Sequence, residues 1–266
     1  MTLVRSLRDG WIDIAAALGR HWLWRALARQ DLRRRFHRTL IGPIWNALSL
    51  ALAAGALSFV FASPLGGASP AYPVFVAIGL ALWQFVLATL GEAPAAFVAA
   101  ADSIRATPLP SSLFVLRLVW RNLAVLAVQA PVIIAAILLC GVRLTPSIFL
   151  LPAALLLWGI AAAGATLLLA TIGARFRDTQ PVVNSGLQLL FFLSPIFWSP
   201  SMLPAGRAWL VHLNPLTAFV EIVRAPLLGT SATALSWSIA AALSALLTVG
   251  GVLVFGHWRA RIAYWA

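Results

Sequence analysis

The sequence contains no lysine, only one cysteine and few charged side chains. All 19 of its basic residues are arginine, against 7 acidic residues. A phosphate-binding P-loop needs a lysine after its glycines, so the chain cannot be a P-loop ATPase. The single Cys140 excludes an internal disulfide. We therefore expect ATP to be bound by a partner rather than by this chain, for which we predict no catalytic residues and no cofactor.

Charged residues make up only 10% of the chain, whereas hydrophobic residues make up 62%. Soluble domains contain roughly a quarter charged residues, so this composition indicates an integral membrane protein. The apolar runs are longer than the roughly ten-residue strands of a membrane barrel. The predicted fold class is all-α, a polytopic membrane protein. Six runs approach the roughly 20 residues needed to cross: 41–62, 73–99, 113–139, 147–172, 180–199 and 235–256.

The arginines are distributed unevenly between the two sides of these spans. With a cytoplasmic N-terminus, 16 of the 19 arginines fall on the inner side or close to it. Only Arg143, Arg207 and Arg224 fall on the outer side. Positive charge favours the cytoplasmic loops, so both termini are predicted to be cytoplasmic. The net charge of +12 lies beside spans, and we expect membrane lipids rather than nucleic acid as its partner.

Residues 1–40 are predicted to form an interface segment outside the single transmembrane domain of residues 41–266. Trp11, Ile14, Leu18 and Trp22 recur at helical spacing, with arginine and aspartate elsewhere around the helix. This pattern favours an amphipathic helix lying in the headgroup plane. A solvated basic tail is the alternative.

The stretch before the first span carries a basic cluster and a distinctive order of residues. Asp31 precedes the cluster, Phe36 and 39–42 (Thr-Leu-Ile-Gly) follow it, and Trp45 comes early in the span. The order resembles the start of the first span in membrane subunits of ABC exporters for lipid-linked polysaccharides such as O-antigen, capsule and teichoic acid. The basic cluster consists of Arg33, Arg34, Arg35 and Arg38.

The resemblance implies a permease in the bacterial cytoplasmic (inner) membrane. Two copies would form a channel, and two separate ABC ATPase subunits would bind ATP and Mg and drive it. The implied substrate is a lipid-linked glycan. A drug or lipid exporter of the same architecture is the alternative.

The loop after the second span, 101–110, is short and ends in Pro108 and Pro110. Asp102 or Ser103 can cap a brief helix there, and the loop is similar to the family's cytoplasmic coupling helix; an ordinary turn is the alternative. A second similarity is the Arg-Asp motif before the fifth span, where Asp178 can also be a plain N-cap. The candidate ATPase-contacting residues are Asp102, Ser103, Ile104, Arg105, Ala106, Thr107, Arg175, Arg177 and Asp178.

The fifth span contains a Phe-Leu-Ser-Pro sequence, again similar to the family. Pro195 is predicted to kink its outer end. Residues about 200–230 are too interrupted by proline to cross, and two short re-entrant helices are expected, similar to the family's outer gate. Asn214-Pro215 would form the corner between them, and Glu221 and Arg224, spaced i, i+3, could pair.

Aromatic residues near the ends of spans are candidates for a sugar path, because sugar C–H faces stack on aromatic rings. Belt positions and bundle packing are the alternative for most of them. The candidates are Trp45, Trp83, Phe191, Phe192, Phe197 and Trp198.

Glu92 lies inside a predicted span and needs a partner. Counted from the cytoplasmic ends of an antiparallel hairpin, Glu92 lies about 12 Å deep and Arg121 about 13 to 14 Å deep. These matching depths predict an ion pair, which Arg117 could extend by one turn. The alternative is that Glu92 is protonated or faces a wet cavity while both arginines reach the headgroups.

Two other function classes lack the residues they need. The four histidines lie in separate segments without metal-ligand spacing, which argues against a metal site or a membrane enzyme. An ion-coupled carrier would need several intramembrane carboxylates or repeats, and only Glu92 qualifies.

Overall fold

A computed structural model describes residues 3–37, 42, 44–61, 70–199 and 214–265. Within these ranges the chain is helical and has no strand. The helices are α1 (Leu3–Gly19), α2 (His21–Phe36), α3 (Ile44–Phe61), α4 (Tyr72–Glu92), α5 (Ala101–Ala106), α6 (Ser112–Leu139), α7 (Leu151–Arg175), α8 (Thr179–Leu193), α9 (Pro215–Leu227) and α10 (Ala234–Trp265).

Five of the described helical segments are long and apolar enough to cross a membrane. They are Ile44–Phe61, Tyr72–Ala95, Ser112–Leu139, Pro146–Arg175 and Ala234–Trp265. They correspond to five of the six predicted spans, so the polytopic all-helical architecture is confirmed. The 3-10 turn Pro146–Leu150 leads into α7, and α10 continues nine residues beyond the predicted end at 256.

The predicted fifth span is shorter than expected. Its helix, α8, has 15 residues and ends at Leu193. Ser194 is extended (φ −95°, ψ 142°), as expected for a residue before proline, because the proline ring disfavours the helical region there. The prediction that Pro195 kinks the helix is wrong; Pro195 lies beyond its end.

The predicted second span changes form at Glu92. Two 3-10 turns, Ala93–Ala95 and Val98–Ala100, connect α4 to α5. Pro94 has no N–H to continue the α-helical pattern, and a Cβ on Gly173 of α7 would collide with the Pro94 backbone. Glu92 therefore ends an α-helix rather than lying in its interior.

Helix α4 forms the centre of the bundle. Most of its residues are buried, from Tyr72 to Gly91, and it contacts α3, α6, α7, α8 and α9. Beside it, α7 and α10 approach closely because Gly164 and Gly251 have no side chains: a Cβ on Gly164 would collide with the backbone of Thr248, and one on Gly251 with the carbonyl of Gly164.

Residues 3–36 form two helices joined at Arg20, where one helix was predicted. α1 packs on α10 and α6, and α2 packs on α6. Asp13 of α1 is 2% exposed, whereas Trp11 and Trp22 are 48% and 63% exposed. The exposed tryptophans are compatible with a headgroup location, which stays a prediction.

Candidate functional site

A cavity of about 640 Å³ lies between α4, α6 and α8 and is lined by seven side-chain amides together with Arg35, Glu92 and apolar residues. We call it the carboxamide cavity. α8 contributes every fourth residue, which places three amides on one helical face. The amides that line it are Asn46, Gln84, Asn122, Gln129, Gln180, Asn184 and Gln188.

Several of these amides are buried and bridge helices. Gln129 of α6 is 1% exposed and donates to Gln84 Oε1 of α4. Asn122, 2% exposed, donates to Thr89 Oγ1 at 3.2 Å. Gln180 of α8 donates to the carbonyl of Gly91, and its own Oε1 is buried without a hydrogen-bond partner among the described residues. The cavity wall thus retains unused hydrogen-bonding capacity.

A second cavity, of about 390 Å³, adjoins the first and shares Gly91, Glu92 and Gln180 with it. Its wall carries two ion pairs. Arg121 donates to Glu92, the contact predicted from their depths, and the Glu92 side chain is 42% exposed. Arg117 forms a two-bond pair with Asp31 of α2, with Nε 2.6 Å from Oδ2.

The prediction that Arg117 extends the Glu92 pair is therefore wrong. The contact is with Asp31 because α2 packs along α6 and brings its last turn beside Arg117. In the alternative prediction both arginines reach the headgroups, whereas here each is paired with a carboxylate. Its other part agrees with the structure, because Glu92 faces both cavities.

The predicted basic cluster lies at the end of α2. Arg33, Arg34 and Arg35 are exposed there, and Arg35 also lines the carboxamide cavity. Arg38 falls outside the described residues. Gly42 has a positive φ of 56°, a conformation that glycine adopts without strain, just before α3 begins.

Five of the six candidate aromatic residues lie close together near the C-terminal end of α3, far from the basic cluster. The Phe191 ring lies 5.3 Å from Trp83, 5.4 Å from Phe192 and 5.6 Å from Phe197, between ring centroids. Trp198 Nε1 donates to the Phe192 carbonyl at 3.1 Å. We call these five residues the aromatic cluster.

The members of the aromatic cluster differ in accessibility. Trp83 is 7% exposed and packed in the core, whereas Phe192 is 67% exposed. Trp45, 56% exposed, is the sixth candidate and begins α3, about 24 Å along that helix from Phe61. Phe61 touches Phe197, so Trp45 does not belong to the cluster.

Asn214 holds the start of α9 against the end of α8. Its Oδ1 accepts from the Leu216 N–H at 3.0 Å, a helix N-cap. Its Nδ2 donates to the Leu193 carbonyl at 3.1 Å and to Ser194 Oγ at 2.8 Å. Pro215 occupies the first helical position. The first of the two expected gate helices falls outside the described residues.

The predicted pairing of Glu221 with Arg224 is wrong. Arg224 is 6% exposed and donates to the carbonyls of Pro195 at 2.6 Å and Ile196 at 3.0 Å. Its guanidinium lies 3.7 Å from the Phe75 ring centroid. Glu221 instead accepts from the Thr233 N–H and from Ser236 Oγ, which fixes the start of α10.

The predicted ATPase-contacting residues lie on α5 and on the turn between α7 and α8. α5 begins at Ala101, so Asp102 and Ser103 lie within its first turn and do not cap it. Asp178 occupies the N-cap position of α8 without a capping hydrogen bond from its side chain. The exposed members of the set are Asp102, Ser103, Arg105, Ala106, Thr107, Arg175, Arg177 and Asp178, whereas Ile104 is half-buried.

Both segments contact the last turns of α10. Arg105 Nε donates to the Ala263 carbonyl at 3.2 Å. The Arg175 guanidinium lies 5.3 Å and 5.4 Å from the ring centroids of Trp258 and Trp265. We call this end of the bundle the α5 end.

The carboxamide cavity was not among the features predicted from the sequence. Gln180, Asn184 and Gln188 recur every fourth residue of one predicted span, and this periodicity was an available signal. The Gln84 and Gln129 pair had no such signal, because its members are 45 residues apart on different helices.

Comparisons with known proteins agree with this architecture. Two curated proteins from Klebsiella pneumoniae, both called "O-antigen export system permease protein RfbA", are each 26% identical over 246 residues, covering 89% of this chain and 92% of the relative. A Myxococcus xanthus protein of the same name is 23% identical over 202 residues, covering 75% of this chain and 78% of the relative. Residues 23–228 match the family described as ABC-2 type transporter. Because that match spans most of the chain, the protein belongs to the ABC-2 type transporter family.

Proposed function

We propose that this chain is the permease half of an ATP-driven exporter that moves a lipid-linked polysaccharide across the bacterial cytoplasmic membrane. The carboxamide cavity carries the proposal, because polar side chains inside a membrane bundle are costly unless they line a water-filled or ligand-filled path. The relatives named as O-antigen export permeases support the choice of substrate.

We expect two copies of the chain to form the channel. α8 packs against α4 and α7 on one side, while Asn184, Ser185 and Gln188 are exposed on it. Three polar side chains facing lipid would be unfavourable. A second copy placed against α8 would turn two carboxamide cavities toward one another and keep these groups away from lipid.

Two separate ABC ATPase subunits would bind ATP and Mg and supply the energy. The chain lacks the lysine that a P-loop needs. The exposed residues of α5 and of the α7–α8 turn form a docking surface at the α5 end, with Arg105 and Arg177 available to acidic groups of the partner.

Deletion of the gene in its own host tests the function. Surface polysaccharide should disappear, and lipid-linked glycan should accumulate inside the cells. The wild-type gene should restore both, but not in cells whose ATPase has lost its P-loop lysine. Normal surface polysaccharide in the deletion strain, with loss of drug or lipid export instead, would contradict the proposed substrate.

Thiol labelling tests the orientation. In a chain whose Cys140 is replaced by Ala, a single cysteine at Ser231 should react with an impermeant maleimide added to intact cells. A single cysteine at Ala106, on α5, should react only after the cells are opened. Reversed labelling would contradict cytoplasmic termini and the placement of the ATPases.

A further inference from the structure

We propose that the carboxamide cavity is a binding subsite for the uncharged sugar rings of the exported chain. This inference rests on the proposed export function and adds which residues hold the glycan and by what chemistry. It concerns the seven amides defined above, of which Asn184 and Gln188 are exposed toward the open side of the cavity.

The chemistry of the wall matches sugar hydroxyls. A carboxamide offers two N–H donors and an acceptor oxygen, and a hydroxyl group both donates and accepts. Gln129, Asn122 and Gln180 each spend one donor on a neighbouring helix, and Gln129 and Asn122 are almost fully buried. The amides that a ligand can reach are Asn184 and Gln188, which line the cavity and are exposed.

Because the amides carry no net charge, they can bind a polymer weakly enough to let it move on. Conduction requires sites that bind well enough to admit the cargo and weakly enough to release it. Neutral hydrogen bonds are individually weak, so several amides in a row permit stepwise exchange. A volume of about 640 Å³ lies within the range of about 300 to 1,000 Å³ that is typical of small-molecule sites.

The chemistry of the wall disfavours an acyl chain, which would leave the amides without hydrogen bonds. Two charged side chains also line the cavity, Arg35 and Glu92. Glu92 is paired with Arg121, so an anion attracted by Arg35 is the competitor that pyrophosphate tests below. On α8, Gln188 lies three residues before Phe191, on the same helical face, so a sugar leaving the amides would next meet the aromatic cluster.

Substitutions at exposed amides test the proposal without disturbing the packed core. Asn184→Leu has nearly the same shape but no hydrogen-bonding groups, and Gln188→Met removes the amide at similar length. Asn184→Gln keeps the amide. Ser238→Leu is the control, because Ser238 is exposed on α10 and lines neither cavity.

The first measurement is saturation-transfer NMR on the permease and ATPase complex in nanodiscs, with maltoheptaose as a neutral probe. We expect saturable transfer to the wild-type complex and about fivefold weaker binding for each amide-removing variant, as for one lost hydrogen bond. Asn184→Gln and Ser238→Leu should change binding little. Inorganic pyrophosphate should not displace the probe. Absence of saturable transfer to wild type, equal binding by all variants, or displacement by pyrophosphate would overturn the proposal.

The second measurement is the rate at which polysaccharide reaches the surface of complemented cells. Export should fall at least fivefold in the Asn184→Leu, Gln188→Met double variant, at equal amounts of assembled complex. If the wild type and the double variant export equally well, the subsite proposal is overturned, but the proposed export function is not. Failure of the wild-type gene to restore export would instead overturn the proposed function.

Discussion

Replacement of Asp13 should destabilise the whole α5 end, because this one carboxylate joins three helices. Its side chain is 1% exposed and lies 2.8 Å from Arg259 Nε of α10. It also accepts from the backbone N–H of Ser112 at 3.0 Å and from Ser112 Oγ at 2.6 Å. Ser112 begins α6, so Asp13 caps α6 from α1.

The cost of Asp13→Ala can be estimated from these contacts. A lost helix cap costs about 1 kcal/mol, and a lost hydrogen bond to a charged group about 1.5 to 3 kcal/mol. The ion pair adds at most about 1 kcal/mol because Arg259 is 42% exposed. We therefore expect a loss of about 3 to 5 kcal/mol, in the range for one partner removed from a buried pair.

Asp13→Asn should cost less, about 1 to 2 kcal/mol, because the amide oxygen still accepts from Ser112 but attracts Arg259 less strongly. The assay is unfolding of the purified chain in mixed detergent micelles, followed by tryptophan fluorescence. Asp9→Asn, on the same helix, is the control and should change stability by no more than about 0.5 kcal/mol. If Asp13→Ala is as stable as the control, the reasoning is refuted.

Three further predictions use other charged residues. Glu92→Gln should impair folding or transport, and Arg121→Gln should partly relieve the damage by removing the stranded charge; purely additive defects in a double-mutant cycle would rule out the pair. Arg224→Leu should lower the unfolding free energy by about 2 to 4 kcal/mol, because two buried carbonyls lose their donor, whereas exposed Arg143→Leu should be nearly neutral by the same assay. Arg105→Glu should abolish export yet leave membrane insertion intact, as measured by surface polysaccharide and membrane fractionation; normal export would remove Arg105 from the coupling.

The spans and one ion pair could be predicted because hydropathy and depth in the membrane are set by residues close together in the sequence. Long apolar runs located five spans, and residue counting along one hairpin matched Glu92 with Arg121. That contact is local in topology, since α4 and α6 are consecutive long helices joined only by residues 93–111, which include α5. Proline sequences likewise located the end of α8, although the predicted kink is a helix terminus.

Contacts between distant segments could not be predicted in the same way. The partner of Arg117 is Asp31, 86 residues away, and no periodicity relates the two. The i, i+3 spacing favoured a pair between Arg224 and Glu221. Arg224 is instead buried and donates to two backbone carbonyls just beyond the end of α8. Glu221 accepts from a backbone N–H at the start of α10. The sequence does not show that this helix start lies beside Glu221, because their proximity depends on the tertiary fold.

The length of α10 has a mechanical consequence. Its 32 residues make a rod about 48 Å long, and its last turns touch α5, Arg175 and Asp13. Its other end packs on α9. A tilt of about 5° around one end of such a rod displaces the other by about 4 Å. A small tilt imposed at the α5 end would therefore reach the opposite end of α10 as a sideways shift of about 4 Å, without passing through any loop.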